Sequence, residues 1–253
     1  GIPGIEFVPM IKRFYPHKEI TSHLVGHVNS NMIGQLGAER TFNNRLNLGE
    51  DINLGIDIRI QYIVRDELEK ARIKYNSKSA TAIIADLNSG EILSLVSLPD
   101  FNPNQSINPK SKSYTNTATL NLYEMGSTFK MFTIAAALNS SQVNLETKFD
   151  ASKPIEIANY KIKDYKPQSR ILTTKEIFLY SSNIGSSRIA LNLGKLKLKS
   201  FYEKLGLFKT SNINLSEKTK PIVPQKWHKI ETATLSYGHG ISISPIQMIE
   251  ASS

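Results

Sequence analysis

The sequence predicts an α+β fold, and three stretches carry that prediction. Residues 59–75 place Ile60, Ile63, Val64, Leu68 and Ala71 on one helical face, with Glu67 the one polar member of the stripe. Residues 80–86 and 91–98 read as β-strands joined across an Asn88-Ser89-Gly90 turn. Residues 127–139 carry Phe129, Met131, Phe132, Ile134, Ala135 and Leu138, so the helix they form has almost no face left for water.

The other elements follow in chain order. The first fifty residues are rich in Gly, Asn and Pro, with short helical pieces at 19–28 and 37–46, and read as an irregular piece outside the main core. Residues 52–58 form a short extended stretch. Asp66 and Lys70 stand at i,i+4 on the outer side of the 59–75 helix, acid first, which is the favourable order. The 80–98 strands are apolar on both faces, more than two strands can bury by themselves. No long strand-like run follows before residue 253, so either helices do all the covering or the rest of the sheet is missing. Residues 101–119 read as an Asn/Ser/Lys-rich loop. Residues 176–191 are helical at both ends around a polar Ser181-Ser182-Asn183 centre. A helix at 198–205 is stopped by Gly206, residues 218–227 form a proline-punctuated loop, and a last helix opens near Pro245. The expected division is 1–50 and 51–253.

The chain has no cysteine, which excludes disulfides, thiolate metal sites and cysteine nucleophiles. A formal charge of +9 suits any polyanion. The lysines are dispersed, however, with no basic recognition helix, so nucleic acid is not an expected partner. The alternating Lys and Leu of 195–199 read as a solvated helix face. No run of eighteen apolar residues is present. Residues 1–9 have neither the basic leader nor the apolar run of a signal peptide, so any targeting segment is expected upstream.

Chemistry is suggested first by Ser127 and Lys130, three apart at the head of the apolar helix and so on one face, about 5–6 Å between Cβ atoms. A serine needs a neighbouring base to become a nucleophile, and a neutral lysine can serve. Flanked by Phe129, Met131 and Phe132, Lys130 is expected to be desolvated, which disfavours its charged form. Gly126 permits a tight turn ahead of the serine, and a helix N-terminus offers N–H groups for an oxyanion hole. The plain alternative makes Ser127 an N-cap and lets Lys130 snorkel to water. Ser181 and Asn183 are two apart, so a joint role needs a break between helical pieces; the alternative is an ordinary interhelical turn. His23 and His27 stand at i,i+4 without an HExxH arrangement, and packing is their expected role. His239, between Gly238 and Gly240, marks close backbone approach.

In this order and setting, the segments resemble the class B penicillin-binding proteins, on the division-specific branch of peptidoglycan D,D-transpeptidases. The first motif of that family, Ser-x-x-Lys, is matched within Tyr123-Glu124-Met125-Gly126-Ser127-Thr128-Phe129-Lys130. The second, Ser-x-Asn, is matched by Ser181-Ser182-Asn183, and the Ile184-Gly185 that follows favours the division branch over elongation enzymes. Residues 235–245 resemble its glycine-rich segment and following helix. Arg13-Phe14-Tyr15-Pro16 and Gly37-Ala38-Glu39-Arg40 resemble the end of its non-catalytic pedestal. The third motif, Lys-Thr/Ser-Gly, is absent; Lys218-Thr219-Lys220 lacks the glycine and precedes the glycine-rich segment. That motif and the last strands are expected after residue 253, and the 253 residues alone are expected to be marginally stable and nearly inactive.

The resemblance implies helices around an antiparallel sheet, here incomplete, with residues 1–50 ending the pedestal and 51–253 opening the transpeptidase domain. It implies Ser127 as nucleophile, Lys130 as base, Ser181 as proton relay, and Asn183, Gly126, Gly238 and Gly240 on the substrate. Stem peptides would be the substrate and β-lactams the inhibitors, with divisome proteins and a glycosyltransferase as partners and no metal or organic cofactor. The setting would be the bacterial inner membrane, through an upstream anchor, with the catalytic domain in the periplasm. Two other readings stay open from the residues: a non-catalytic module of the same fold, and a serine β-lactamase or D,D-carboxypeptidase.

Overall fold

Over Gly4 and residues 11–253, which the computed structural model describes, the chain divides into two units. One is Gly1–Leu120 with Ile213–Lys218, the other Asn121–Asn212 with Thr219–Ser253. Apart from Gly4, the 1–9 stretch read above for a signal peptide lies outside the described residues. The α+β class holds. No helix among the described residues is long and apolar enough to cross a membrane.

The first unit opens with short elements: α1 (Ser22–Val25), β1 (His27–Val28), β2 (Gly34–Leu36), α2 (Gly37–Thr41) and α3 (Asn43–Asn47). β1 and β2 pair antiparallel, and Gly26 and Gly37 let the backbones touch. Both have positive φ, and a Cβ on Gly37 would lie 2.6 Å from the Gly26 nitrogen. The two pedestal-like motifs meet here, Arg13 pairing with Glu39 at 2.9 Å. His23 and His27 bond to Ser113 O and the Tyr114 hydroxyl and pack edge-on to Phe101, the packing role expected of them.

Next come α4 (Ile58–Lys74), capped by Asp57, and the hairpin of β3 (Ala80–Ala85) and β4 (Ile92–Leu98) in antiparallel register from Ala80↔Leu98. The Asp66–Lys70 pair forms at 2.6 Å. The expected apolar stripe of α4 is corrected in part, since Ile63 is 61% exposed and the helix's one fully buried residue is Gln61. Its amide reaches the main chain of β4, and satisfied polar groups can be buried where the pattern calls for apolar ones.

The second unit holds α5 (Lys130–Asn139), α6 (Thr174–Leu179), α7 (Asn183–Leu193), α8 (Lys195–Lys204), α9 (Lys229–Leu235) and α10 (Pro245–Ser252). One core joins Phe129, Phe132, Leu198, Tyr202, Leu207 and Trp227; a second joins Ile134, Ala137, Leu172, Ile177 and Ile189. The Lys–Leu run of α8 is half solvated: Leu196 is exposed, whereas Leu198 is buried. The sequence shows no long strand-like run here, and the structure has four short strands. They are β5 (Lys148–Asp150) paired with β8 (Ile171–Thr173), and β6 (Ile155–Ile157) paired with β7 (Tyr160–Ile162). Three residues are too few to show alternation, and Ala158, a residue that gives no turn signal, takes the left-handed conformation between β6 and β7.

Candidate active site

Ser127 stands in a single 3-10 turn, Gly126–Phe129, that runs directly into α5. The sequence reading put it in the first turn of the α-helix itself. The turn starts from Gly126 at φ +57°, which a residue with a Cβ adopts only at a cost. No side-chain cap forms at the start of this turn or of α5. Ser127 is therefore not the N-cap of the plain alternative, and its side chain faces solvent. Lys130 does not snorkel either, being 1% exposed among the residues around Phe129 and Phe132.

Four oxygens converge on the Lys130 amine. Its Nζ lies 2.7 Å from Ser127 Oγ, 2.9 Å from both the carbonyl and hydroxyl oxygens of Ser181, and 2.7 Å from Asn183 Oδ1. Burial pushes the lysine down to about 8 from its ordinary 10.5, while the nearby charge of Asp164 works the other way. Near neutral pH a useful fraction of this amine is therefore unprotonated and able to accept a proton from Ser127.

The Ser181–Asn183 motif reaches Lys130 because the helical run breaks there. Thr173 caps α6 in a reciprocal capping box with Glu176, and α6 ends at Leu179. Ser181 then takes φ +54°, and Ser182 caps α7 by accepting the Gly185 N–H at 2.9 Å. Two residues that no single helix could aim together thus face one amine. Gly185 has its own packing reason: a Cβ there would lie 2.4 Å from Ile177 Cγ1 of α6.

The glycine-rich segment lies alongside. Gly238 sits at φ +78°, and a Cβ on it would come within 2.4 Å of the Gly126 carbonyl oxygen and 2.8 Å of Phe129 Cβ. Its close approach is to the turn that carries Ser127. Gly240 donates its N–H to Glu124 Oε1 at 2.7 Å, and Ile243 and Tyr123 exchange backbone bonds at 2.9 and 3.1 Å. His239 packs against Tyr237 with the rings tilted by 58° and their centroids 5.0 Å apart. All seven candidate residues thus fall in one unit.

One residue at this site was missed in the sequence. Asp164 follows β7, and its carboxylate accepts the Ser182 hydroxyl at 2.7 Å and the Ile184 N–H at 2.9 Å. Nothing in Lys163-Asp164-Tyr165 marks it, because the bonds cross 18 and 20 residues of chain.

Comparison with known proteins gives a consistent result. The model of the penicillin binding protein transpeptidase domain matches residues 80–253. Over 256 residues the chain is 35% identical to the probable peptidoglycan D,D-transpeptidase FtsI of Caulobacter vibrioides, covering 99% of this chain and 44% of that protein. It is 31% identical to the peptidoglycan D,D-transpeptidase FtsI of Escherichia coli K12, covering 98% of this chain and 46% of the relative. The chain thus spans less than half the length of either relative. The crystal structure of a peptidoglycan glycosyltransferase from Burkholderia ambifaria superposes with a TM-score of 0.71 at 28% identity, over 79% of this chain and 60% of that one.

Proposed function

This chain belongs to the penicillin-binding protein transpeptidase family, close to its division-specific class B members, and from that premise we propose that it serves a peptidoglycan D,D-transpeptidase. The reaction is the cross-linking of stem peptides in septal cell-wall synthesis through a serine acyl-enzyme. The observation that carries the reading is the 2.7 Å hydrogen bond between Lys130 Nζ and Ser127 Oγ, made by a lysine removed from solvent.

Ser127 Oγ attacks the carbonyl carbon between the last two D-alanines of a stem peptide, and its proton passes to the neutral Lys130 amine. The C–N bond then breaks as Ser181 relays a proton to the leaving D-alanine nitrogen. The acyl group remains on Ser127 as an ester. The amine of a neighbouring stem attacks that ester, a new amide forms, and the serine oxygen recovers a proton from the attacking amine through Lys130. Asn183 holds Lys130 through Oδ1, and its Nδ2, which already donates to Lys163 O at 3.1 Å, has a second hydrogen for the substrate amide. Gly126, Gly238 and Gly240 shape the backbone beside the nucleophile, where a side chain would obstruct a peptide. A β-lactam acylates the same serine, and the scheme calls for no cofactor.

Residues 1–50 are read as the end of the pedestal and 51–253 as transpeptidase domain. The protein acts at the bacterial inner membrane with this domain in the periplasm, beside divisome proteins and a glycosyltransferase. The test is a fluorescent penicillin on the full-length protein followed by peptide mapping. The adduct is expected on Ser127 and is absent from Ser127→Ala. The acylation rate rises with pH as Lys130 loses its proton, half-maximal near pH 8. Label that persists in Ser127→Ala overturns the assignment.

A further inference from the structure

We propose that Asp164 is a positioning residue of this site, which locks the Ser181–Asn183 turn against Lys130 and supplies the counter-charge to the buried amine. The acylation part rests on the function proposed above; the effect on Lys130 does not.

The first argument is geometric. Both carboxylate oxygens are committed, Oδ2 to the Ser182 hydroxyl at 2.7 Å and Oδ1 to the Ile184 N–H at 2.9 Å. Ser182 is buried, and its oxygen in turn accepts the Gly185 N–H at 2.9 Å. Asp164 thereby satisfies one free N–H at the start of α7 directly and orients the hydroxyl that satisfies another. The residue before it acts in the same place, Lys163 O accepting Asn183 Nδ2 at 3.1 Å. With Ser182, Asn183 and Ile184 all tied to 163–164, Ser181 is held in the left-handed conformation that sends both its carbonyl and its hydroxyl oxygen to Lys130. A non-glycine residue enters that conformation only at about 1–2 kcal/mol, so the turn needs such fixing.

The second argument is electrostatic. Asp164 is the charged group whose field acts on Lys130, opposing the effect of burial. The other ionisable groups around α5 and the serine turn are engaged elsewhere or carry the opposite sign. Glu176 of α6 pairs with Arg170, the Tyr202 hydroxyl of α8 bonds to Thr133, and Glu124 accepts from Gly240. Arg188 of α7 is a cation, and His239 packs on Tyr237. Removing the Asp164 charge therefore lowers the proton affinity of Lys130 further.

Asp164→Asn in the full-length protein separates charge from shape, because an amide oxygen still accepts from Ile184 and an amide N–H can donate to Ser182. Lys130 is followed by NMR of protein carrying 13C at lysine Cε, its resonance assigned by its loss in Lys130→Arg, alongside the pH profile of acylation by a fluorescent penicillin. In Asp164→Asn both midpoints are expected to move down by about half a pH unit or more. Asp164→Ala also releases the turn and is expected to slow acylation about tenfold or more at every pH. An Asp164→Asn titration of Lys130 that superposes on wild type overturns the proposal, as does wild-type acylation in Asp164→Ala. A wild-type protein that is not acylated at Ser127 defeats the proposed function instead, and the Lys130 titration still decides Asp164.

Discussion

Each unit buries one conspicuous polar side chain to 1% exposure, Gln61 in the first and Lys130 in the second, and the two are satisfied in opposite ways. The amide of Gln61 makes four bonds with ideal bookkeeping. Its nitrogen donates to Ile20 O at 2.8 Å and Leu95 O at 2.9 Å, while its oxygen accepts from Ser94 Oγ at 2.8 Å and Leu95 N at 2.9 Å. Two donors and two lone pairs are all used, and nothing is left for a reactant. Lys130 has three N–H groups when protonated, and four oxygens stand within 2.9 Å. The ammonium cannot serve all four at once. In the neutral amine, two hydrogens serve the Ser181–Asn183 side and the lone pair faces the Ser127 hydroxyl. A saturated buried polar group is structure; an over-subscribed one is set for proton transfer.

The largest expected effect tests the reactive side of this comparison. Lys130→Met should slow penicillin acylation by about 10²–10⁴-fold while leaving the melting temperature equal to wild type or higher. The sign follows from linkage. The folded-state value of about 8 lies below the ordinary 10.5, so the unfolded chain holds more protons between them. Wild-type stability therefore climbs as pH rises from about 8 to 10.5, by up to ~3 kcal/mol. That climb should vanish in Lys130→Met, as urea unfolding across the pH range will show. A variant clearly less stable than wild type at pH 7 would break the contrast with Gln61.

Gln61→Leu tests the structural side. It strands Leu95 N–H, two carbonyls and the Ser94 hydroxyl, each worth about 1–3 kcal/mol when buried without a partner. A loss of about 3 kcal/mol or more is expected in urea unfolding, with penicillin acylation per folded molecule unchanged. A neutral result would mean water takes over the amide's bonds.

The smallest expected effect sharpens how the helices carry the site. Gly185→Ala drives a Cβ into Ile177, an overpacking worth about 1–3 kcal/mol. Because α6 and α7 flank Ser181, acylation should slow several-fold at the same time. Stability lost with the rate intact would show that the turn is held by Asp164 alone.

Much of this was legible in the residues. Helical spacing put Ser127 and Lys130 on one face, and the apolar run around them foretold a desolvated amine. The polar centre of 176–191 foretold a break. Less was legible where the information was short or remote. The three-residue strands β5–β8 offer no period to count. Asp164 and Gln61 bond to groups 18 to 41 residues away in sequence, and an Asp in a loop or a Gln on a helix is ordinary in isolation.

The sequence by itself determined what depends on neighbours within a turn or two: that residues 59–75 are helical, that 80–98 form a hairpin, which helix is buried, and that serine and lysine share its head. Such features follow from backbone geometry repeating every 3.6 residues or every two. Only the tertiary structure decided that Ser181 and Asn183 face that lysine, that Gly238 packs on Gly126, and that Asp164 governs the turn. Those contacts depend on where a broken helix re-enters and on loops whose local sequence allows many conformations, and only the packing of the core around Phe129 and Ile177 selects one.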